Sequence, residues 1–551
     1  MMKGCVPWPD EFVELYKKKG HWEGKTLGEH FDRWVLKYGD NIALIHNNKE
    51  ITYRQMGIYV TRLAYQMTQM GINTYDRVMF QLFNGPEVIY LFYACTKIGA
   101  IPICSLATHR WAEISHFCKQ AEPRCHAIPA GTVMGFDYEE FAEKTRTETP
   151  NLEFILTVGK SSHKNMVSIN DLIEMDIDLD KAQAVLEKYR PDPMEPALFQ
   201  LSGGTTGVPK IIPRTHNDYQ YNAKICAARF DYEQDTKLAV PLPLTHNAPL
   251  SFIILPLHLS GGTAVITAPK AEEVLSAVMN NGINYMLLGA AFVKPLISMP
   301  KEVFKKIFGN VKKAWVSSIR PEAVAQVIET VDWEMRQIFG MAEGFGTATL
   351  KGERTEIIIN TQGRPLSEDD EVKIMSVNTG EELAPGEIGE MICRGPYTIR
   401  GYYKAEERNK DAFTPDGFYR SGDLCKLDEE GNLTWCGRIK DCIDRGGEKI
   451  NAEEVENHIV KFSKVNQVAV VAMPDERFGE KICTYVVPQN GVSFSLEELQ
   501  KYLIQERQIA KFKVPERLEF IDAFPETKIG KLDKKALREK IIETLKDEGN
   551  D

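Results

Sequence analysis

Residues 201–210, LSGGTTGVPK, bring three glycines, three hydroxyl side chains and a lysine into one short stretch. Gly203, Gly204 and Gly207 let backbone N–H groups approach anionic oxygens closely. Ser202, Thr205 and Thr206 add hydroxyl donors, and Lys210 adds a positive charge. Together they suit a phosphate. A Walker loop needs Gly-Lys followed directly by Ser or Thr, so that the hydroxyl can hold Mg²⁺. Here Val208 and Pro209 precede Lys210 and Ile211 follows it, which disfavours a kinase- or GTPase-type loop and leaves a donor-rich phosphate loop. The competing reading is a solvated Gly/Thr turn. His109, Glu113, His116 and Cys118 are close in sequence, but their spacing matches no standard zinc motif. The basic stretch KYLIQERQIAKFKVPER reads as a solvated helix face rather than a membrane or nucleic-acid surface.

The elements that must position this loop are legible in outline. A chain of 551 residues exceeds a single compact core, so two or three domains are expected. Hydrophobic content of 43% with 26% charged residues is ordinary globular composition. The net charge of −11 argues against a nucleic-acid-binding surface spread over the molecule. The first twenty residues carry no secretory pattern, and the longest apolar runs, such as 88–95 and 252–257, are far short of the ~20 residues that span a bilayer. Eleven cysteines without a CxxC pair fit reduced thiols in a cytoplasm. Apolar runs at 77–82, 101–104, 237–241, 262–268, 285–289 and 314–316 alternate with amphipathic segments such as 87–98. That alternation indicates layered α/β architecture with largely parallel sheets. After residue 370 short strands at 371–375, 390–394, 424–427 and 433–436 suggest a small antiparallel β region. The last hundred or so residues read as a compact α+β unit, with helices at 453–462, 496–506 and 534–547. The expected organisation is a core of residues 1–437, with its β region at about 371–437, a hinge at 438–441 and a C-terminal lid of 442–551.

TSGGTTGxPK-type loops are the signature of the adenylate-forming enzymes, and this chain resembles that family from end to end. QIFGMAE (337–343) looks like its aromatic-Gly-x-x-Glu motif. GEIGEMICRG, GYYKAEERN, GFYRSGDL, GRIKDCIDRGGEKI and PETKIGKLDK match its later landmarks in order. Within the family the chain is most similar to stand-alone aryl-acid–AMP ligases of the 2,3-dihydroxybenzoate and salicylate type, through phrases such as KIIPRTHNDY, PLTHNAPLS, INTQGRPLS and RGPYTIRGYY. The resemblance implies two layered α/β subdomains plus a small β-barrel, followed by a small mobile α+β domain. It implies carboxylate attack on the α-phosphorus of ATP, with Mg²⁺ assisting, to give an aryl-adenylate and pyrophosphate. The acyl group then passes to the phosphopantetheine thiol of an aryl carrier protein or, alternatively, to coenzyme A.

The same resemblance assigns roles. Ser202 to Lys210 would hold the leaving β- and γ-phosphates, Gly340, Met341 and Ala342 would join them in binding ATP, and Glu343 would ligate Mg²⁺. Asp423 and Arg438 would hold the ribose. Lys531 is the candidate catalytic lysine, joined by His246 at the entrance to the acyl pocket. Asn247, Phe252, Ser317 and Ser318 would line that pocket, Lys440 would be the hinge, and Gly446 and Gly447 would border the thiol tunnel. Ala248, Phe252 and Ser317-Ser318-Ile319 depart from the catechol-ligase pattern, which implies a differently substituted benzoate, hydroxylated or aminated.

Overall fold

The computed structural model describes every residue except 203–209, 318–320, 446–447, 476, 490–491, 508, 528–530 and 549–551, and the side chains of 290–292, 294, 444 and 448–449. Two large sheets and a small one build the N-terminal part. The seven-stranded sheet runs in the order Ile211–Thr215, Pro196–Leu201, Ile101–Leu106, Arg77–Leu82, Cys125–Pro129, Phe154–Val158 and Met166–Ser168. All its pairings are parallel except that of Ile211–Thr215 with Pro196–Leu201. The nine-stranded sheet is parallel through its centre, from Ile42–His46 across Thr263–Ile266, Lys237–Val240, Tyr285–Leu288 and Lys313–Val316 to Glu334–Met341. Strands covered on both faces read as unbroken apolar runs, which is why these were legible.

One core joins the sheets, and every residue of the helix Pro86–Ile98 except Glu87 is buried. A helix apolar on all sides has no solvent face to present; its end is set by Gly99, whose φ of 71° is left-handed. The helix His216–Arg229 starts directly after the strand Ile211–Thr215. Thr215 caps it by accepting from the Asp218 N–H while Asp218 accepts from the Thr215 N–H.

The β region expected at about 371–437 is a four-stranded antiparallel sheet of Glu371–Met375, Gly389–Arg394, Tyr419–Leu427 and Leu433–Arg438. The third strand begins five residues before its expected start at 424. The small C-terminal domain has a five-stranded sheet whose long strands Val465–Asp475 and Gly479–Pro488 pair antiparallel. The helices Ala452–Ile459, Leu496–Gln505 and Lys534–Glu548 pack on it. Among the described residues no helix is long and apolar enough to cross a membrane.

Candidate active site

The strand pair Pro196–Leu201 and Ile211–Thr215 holds the ends of the glycine-rich loop together. The Ser202 N–H donates to the Lys210 carbonyl at 3.0 Å, and the Lys210 N–H donates to Ser202 Oγ at 2.9 Å. Gly203, Gly204, Thr205, Thr206 and Gly207 lie outside the described residues. Lys210 Nζ sits 4.7 Å above the Tyr402 ring. Burial pulls its pKa below the usual lysine value; Arg408 adds to this, and Glu343 opposes it.

Facing this neck is the turn between Glu334–Met341 and Phe345–Ala348, where Gly340 pairs with Gly346. The turn carries Ala342, Glu343 and Gly344. Gly344 has φ of 92°, and a Cβ there would fall 1.7 Å from the Tyr397 carbonyl oxygen, so only glycine fits. The Gly344 N–H donates to Met341 O, and the Ile399 N–H donates to Glu343 O at 2.8 Å. Arg214, fully buried, donates from Nη1 to Ala342 O at 3.0 Å and from Nε to Asp218 at 2.7 Å. The Glu343 side chain is thus presented from a turn tied at several points. It is 8% exposed, and its Oε1 accepts from the Tyr402 O–H at 2.8 Å. Among the described residues no cation forms an ion pair with it. A buried carboxylate held by a neutral donor and, among the described residues, not ion-paired has the chemistry of a divalent-cation ligand.

Asp423 and Arg438 are cross-strand partners in the small sheet. Asp423 is 3% exposed, and its Oδ1 accepts from Arg438 Nε at 2.9 Å and from Trp435 Nε1 at 3.1 Å. Both donors fall on the same oxygen. Burial pushes the carboxyl's pKa above its ordinary value, against the pull of Arg438. Lys531 comes from the C-terminal domain. Its N–H donates to Thr527 Oγ1, and Thr527 N–H donates to the Lys531 carbonyl at 2.7 Å. The side chain is solvent-accessible, yet the protein around it lowers its pKa, as does Arg438 while Asp423 opposes. That combination describes an ammonium in an open cleft, within electrostatic reach of the Asp423–Arg438 pair.

His246 also feels Lys531: burial, then that positive charge, takes its pKa down to about 4. Its Nδ1 accepts from the Ala248 N–H at 3.3 Å, which leaves the proton on Nε2. As expected from the sequence, it emerges beyond the C-terminal end of the strand Lys237–Val240. Asn84 fixes this exit: its Oδ1 accepts from Leu244 N–H, and its Nδ2 donates to the carbonyls of Leu242 and Thr267. Asn247 Oδ1 accepts from Tyr219 at 3.1 Å and its Nδ2 donates to Ser251 Oγ at 3.2 Å. Phe252 lies on a π-helical turn, Pro249–Ile254. Its ring tip is so placed that a Cβ on Gly340 would come within 2.7 Å of it. Ser317 follows the strand Lys313–Val316, half-buried, and Ser318 lies outside the described residues.

At the seam, Lys440 sits in the short helix Ile439–Asp441, its pKa lowered mainly by burial. Arg538 donates from Nη1 to Lys440 O at 3.3 Å and to Asp441 Oδ1 at 3.1 Å. Gly446 and Gly447 lie outside the described residues.

The structure therefore brings Lys210, Glu343, Asp423, Arg438, Lys531 and His246 around one cleft. Reading the sequence alone missed Tyr402, Tyr419, Arg214, Asn84 and Trp435, which hold them. Nothing in their local sequence marks their partners, which lie far along the chain, and only GYYKAEERN, which holds Tyr402, was singled out as a stretch.

Comparison with known proteins agrees in extent. A family model described as AMP-binding enzyme matches residues 31–403, and one described as AMP-binding enzyme C-terminal domain matches residues 454–531. The chain is 37% identical to the 2,3-dihydroxybenzoate-AMP ligase of Bacillus subtilis (strain 168) over 99% of each protein. It is also 37% identical to a salicylyl-CoA synthase / salicylate adenylyltransferase of a Streptomyces species, over 98% of this chain and 97% of that one. The apo structure of Mycobacterium smegmatis MbtA superposes with a TM-score of 0.71 at 33% identity, covering 97% of this chain and 98% of that one. Motif order, fold and extent of match together show that the chain belongs to the AMP-binding enzyme family, the adenylate-forming enzymes whose motifs it carries.

Proposed function

We propose that the protein activates a substituted benzoate with ATP and passes the aryl group to the phosphopantetheine thiol of an aryl carrier protein, in siderophore-like nonribosomal peptide synthesis. The observation that carries the reading is the convergence of Lys531 on Asp423, Arg438 and His246, in a chain similar throughout to an aryl-acid–AMP ligase. A benzoic acid with a pKa near 4 is already ionised at neutral pH, so no general base is needed. A carboxylate oxygen attacks the α-phosphorus, the bond to the bridging oxygen of pyrophosphate breaks, and pyrophosphate leaves. The obstacle is repulsion between two anions, and aligned cations answer it. Lys531 bridges the carboxylate and the α-phosphate, Lys210 and the loop 202–210 hold the departing phosphates, and the Asp423–Arg438 pair holds the ribose. Glu343 would hold Mg²⁺, which supplies charge neutralisation on phosphate oxygens. Neutral His246 offers its Nε2–H at the mouth of the acyl pocket. In the second step the thiol sulfur attacks the acyl carbon, AMP leaves and a thioester forms.

The boundary at 438–441 belongs to the same reading: Lys440 is the hinge, and residues 442–551 turn to exchange Lys531 for the thiol channel near Gly446 and Gly447. None of the eleven cysteines is in a disulfide among the described residues, which supports a reducing, cytoplasmic setting. Similarity to a relative named both as a CoA synthase and as an adenylyltransferase favours a second reading, in which coenzyme A is the acceptor.

The test is acid-dependent pyrophosphate release across benzoate, salicylate, 2,3-dihydroxybenzoate, 3- and 4-hydroxybenzoate, the aminobenzoates and several aliphatic acids. Strong turnover with one benzoate is expected; turnover only with aliphatic acids would overturn the aryl assignment. Thioester formation with a phosphopantetheinylated carrier protein against coenzyme A then separates the two acceptors.

A further inference from the structure

Tyr402 touches both ends of the polyphosphate-binding apparatus, yet nothing in the chemistry derived above uses it. It is 1% exposed. Its hydroxyl donates to Glu343 Oε1 at 2.8 Å, and its ring lies under Lys210 Nζ at 4.7 Å. The Tyr419 hydroxyl is 3.1 Å from the Tyr402 hydroxyl. Because Tyr402 spends its single proton on the carboxylate, Tyr419 must be the donor in that second bond.

The backbone of Tyr402 is pinned as firmly as its side chain. Asn409, seven residues on, accepts from the Tyr402 N–H through Oδ1 at 2.8 Å and donates to the Tyr402 carbonyl through Nδ2 at 3.0 Å. With its backbone fixed, Tyr402 offers the Glu343 carboxylate and the Lys210 ammonium a stationary contact. One rigid ring fixes a carboxylate by its edge and an ammonium by its face. An O–H to a carboxylate is a charge-assisted bond, and a cation over a desolvated ring is held by the quadrupole.

We propose that Tyr402 is a positioning residue that sets the spacing between the metal-binding carboxylate of Glu343 and the phosphate-binding ammonium of Lys210, and so the placement of the metal on the departing phosphates. The proposal rests on the reading of Glu343 as the Mg²⁺ ligand. Tyr402→Phe keeps the ring and removes the hydroxyl, whereas Tyr402→Leu removes both.

The experiment measures calorimetric affinity of the full-length chain for α,β-methylene ATP, with and without Mg²⁺, beside Glu343→Gln. In the parent protein Mg²⁺ strengthens binding. Tyr402→Phe is expected to lose about ten-fold of that Mg²⁺-dependent gain while its metal-free affinity is unchanged. Tyr402→Leu is expected to lose metal-free affinity as well, by several-fold. Folding is checked by melting temperature; if Tyr402→Leu does not fold, Tyr402→Phe alone decides. A Tyr402→Phe protein with the full Mg²⁺ gain, beside a Glu343→Gln protein that has lost it, overturns the proposal and leaves the metal reading intact. Full gain in Glu343→Gln overturns the metal reading and the proposal with it.

Discussion

In the proposed reaction Lys531 and Phe252 do opposite kinds of work, and their substitutions separate them. A positioned cation aimed at developing charge is worth about 10²–10³ in rate when removed from a dry site. Lys531→Ala should therefore lower aryl-acid-dependent pyrophosphate release by about that factor. It should leave thioester formation from preformed aryl-adenylate nearly intact, since that step needs no bridging lysine. Equal loss in both steps would refute the assignment. Phe252 is instead proposed to shape the pocket: its ring abuts Gly340 and Gly346 and offers no polar atom to a ring hydroxyl. A buried hydroxyl without a partner costs about 1–3 kcal/mol. Phe252→Ser should thus shift kcat/KM toward 2,3-dihydroxybenzoate relative to benzoate by about ten-fold, with a lower melting temperature from the lost ring. An unchanged ratio would show that Phe252 does not select. The glycine-rich loop stood out in the sequence because phosphate loops need unusual composition, three glycines beside hydroxyls and a lysine, whereas Lys531, Glu343, Asp423 and Arg438 were singled out only by resemblance to a family's motifs. Tyr402 and Asn84 were not, because a buried tyrosine or a turn asparagine is commonplace until its partners, dozens of residues or more away, are known.

Secondary structure divides along the same line. The parallel strands at 77–82, 237–240 and 285–288 were visible as bare apolar runs, whereas Tyr419–Leu427 was seen only from 424. Its first half, YRSGD, is polar because it bears Asp423 and the Ser421 that accepts from the Asp423 N–H. Those polar residues hide the strand signal. The π-helical turn Pro249–Ile254 was likewise hidden, since an apolar run carries no period that separates it from an α-helix. The seam shows what elements add that residues cannot. The final helix reaches back through Arg538 to Lys440 and Asp441, Asn451 Nδ2 donates to the Cys436 carbonyl, and Lys461 pairs with Glu322 at 3.1 Å across to the larger domain. If the domain turns as proposed, these contacts favour the pose that brings Lys531 towards Asp423 and Arg438. Arg538→Ala should therefore raise proteolytic cleavage at 437–445 and lower pyrophosphate release more than thioester formation. The opposite bias, or no change in cleavage, would show that the helix does not brace the seam.

At the scale of the molecule, stability should follow a handful of buried bases. His30, His126, His216 and His258 are all buried, and burial takes their pKa values down to about 4, 3, 3 and 3. His216 is held by a bond that needs the neutral ring: its Nδ1 accepts from the Leu27 N–H. The unfolded chain takes up protons near pH 6.5 while the folded chain refuses them. Their stabilising effect is thus complete above about pH 6.5 and is lost as pH falls toward the folded values, by about 1.4 kcal/mol per pH unit for each. Asp370 acts the other way. Buried among Ser367 and Tyr397, its carboxyl is raised to about 8, so its contribution is present at low pH and declines as pH rises from about 4 to about 8. On the acid side these four histidines, with His246 beside them, outweigh Asp370, and above pH 6.5 the histidines no longer contribute a slope and the decline due to Asp370 dominates. The melting temperature should therefore peak near pH 6.5, fall steeply toward pH 5 and decline gently toward pH 8. Scanning calorimetry across that range tests the shape. Asp370→Asn should flatten the alkaline side and leave the acid side steep; an acid side already flat in the parent protein would mean that the four histidines are not neutral in the fold.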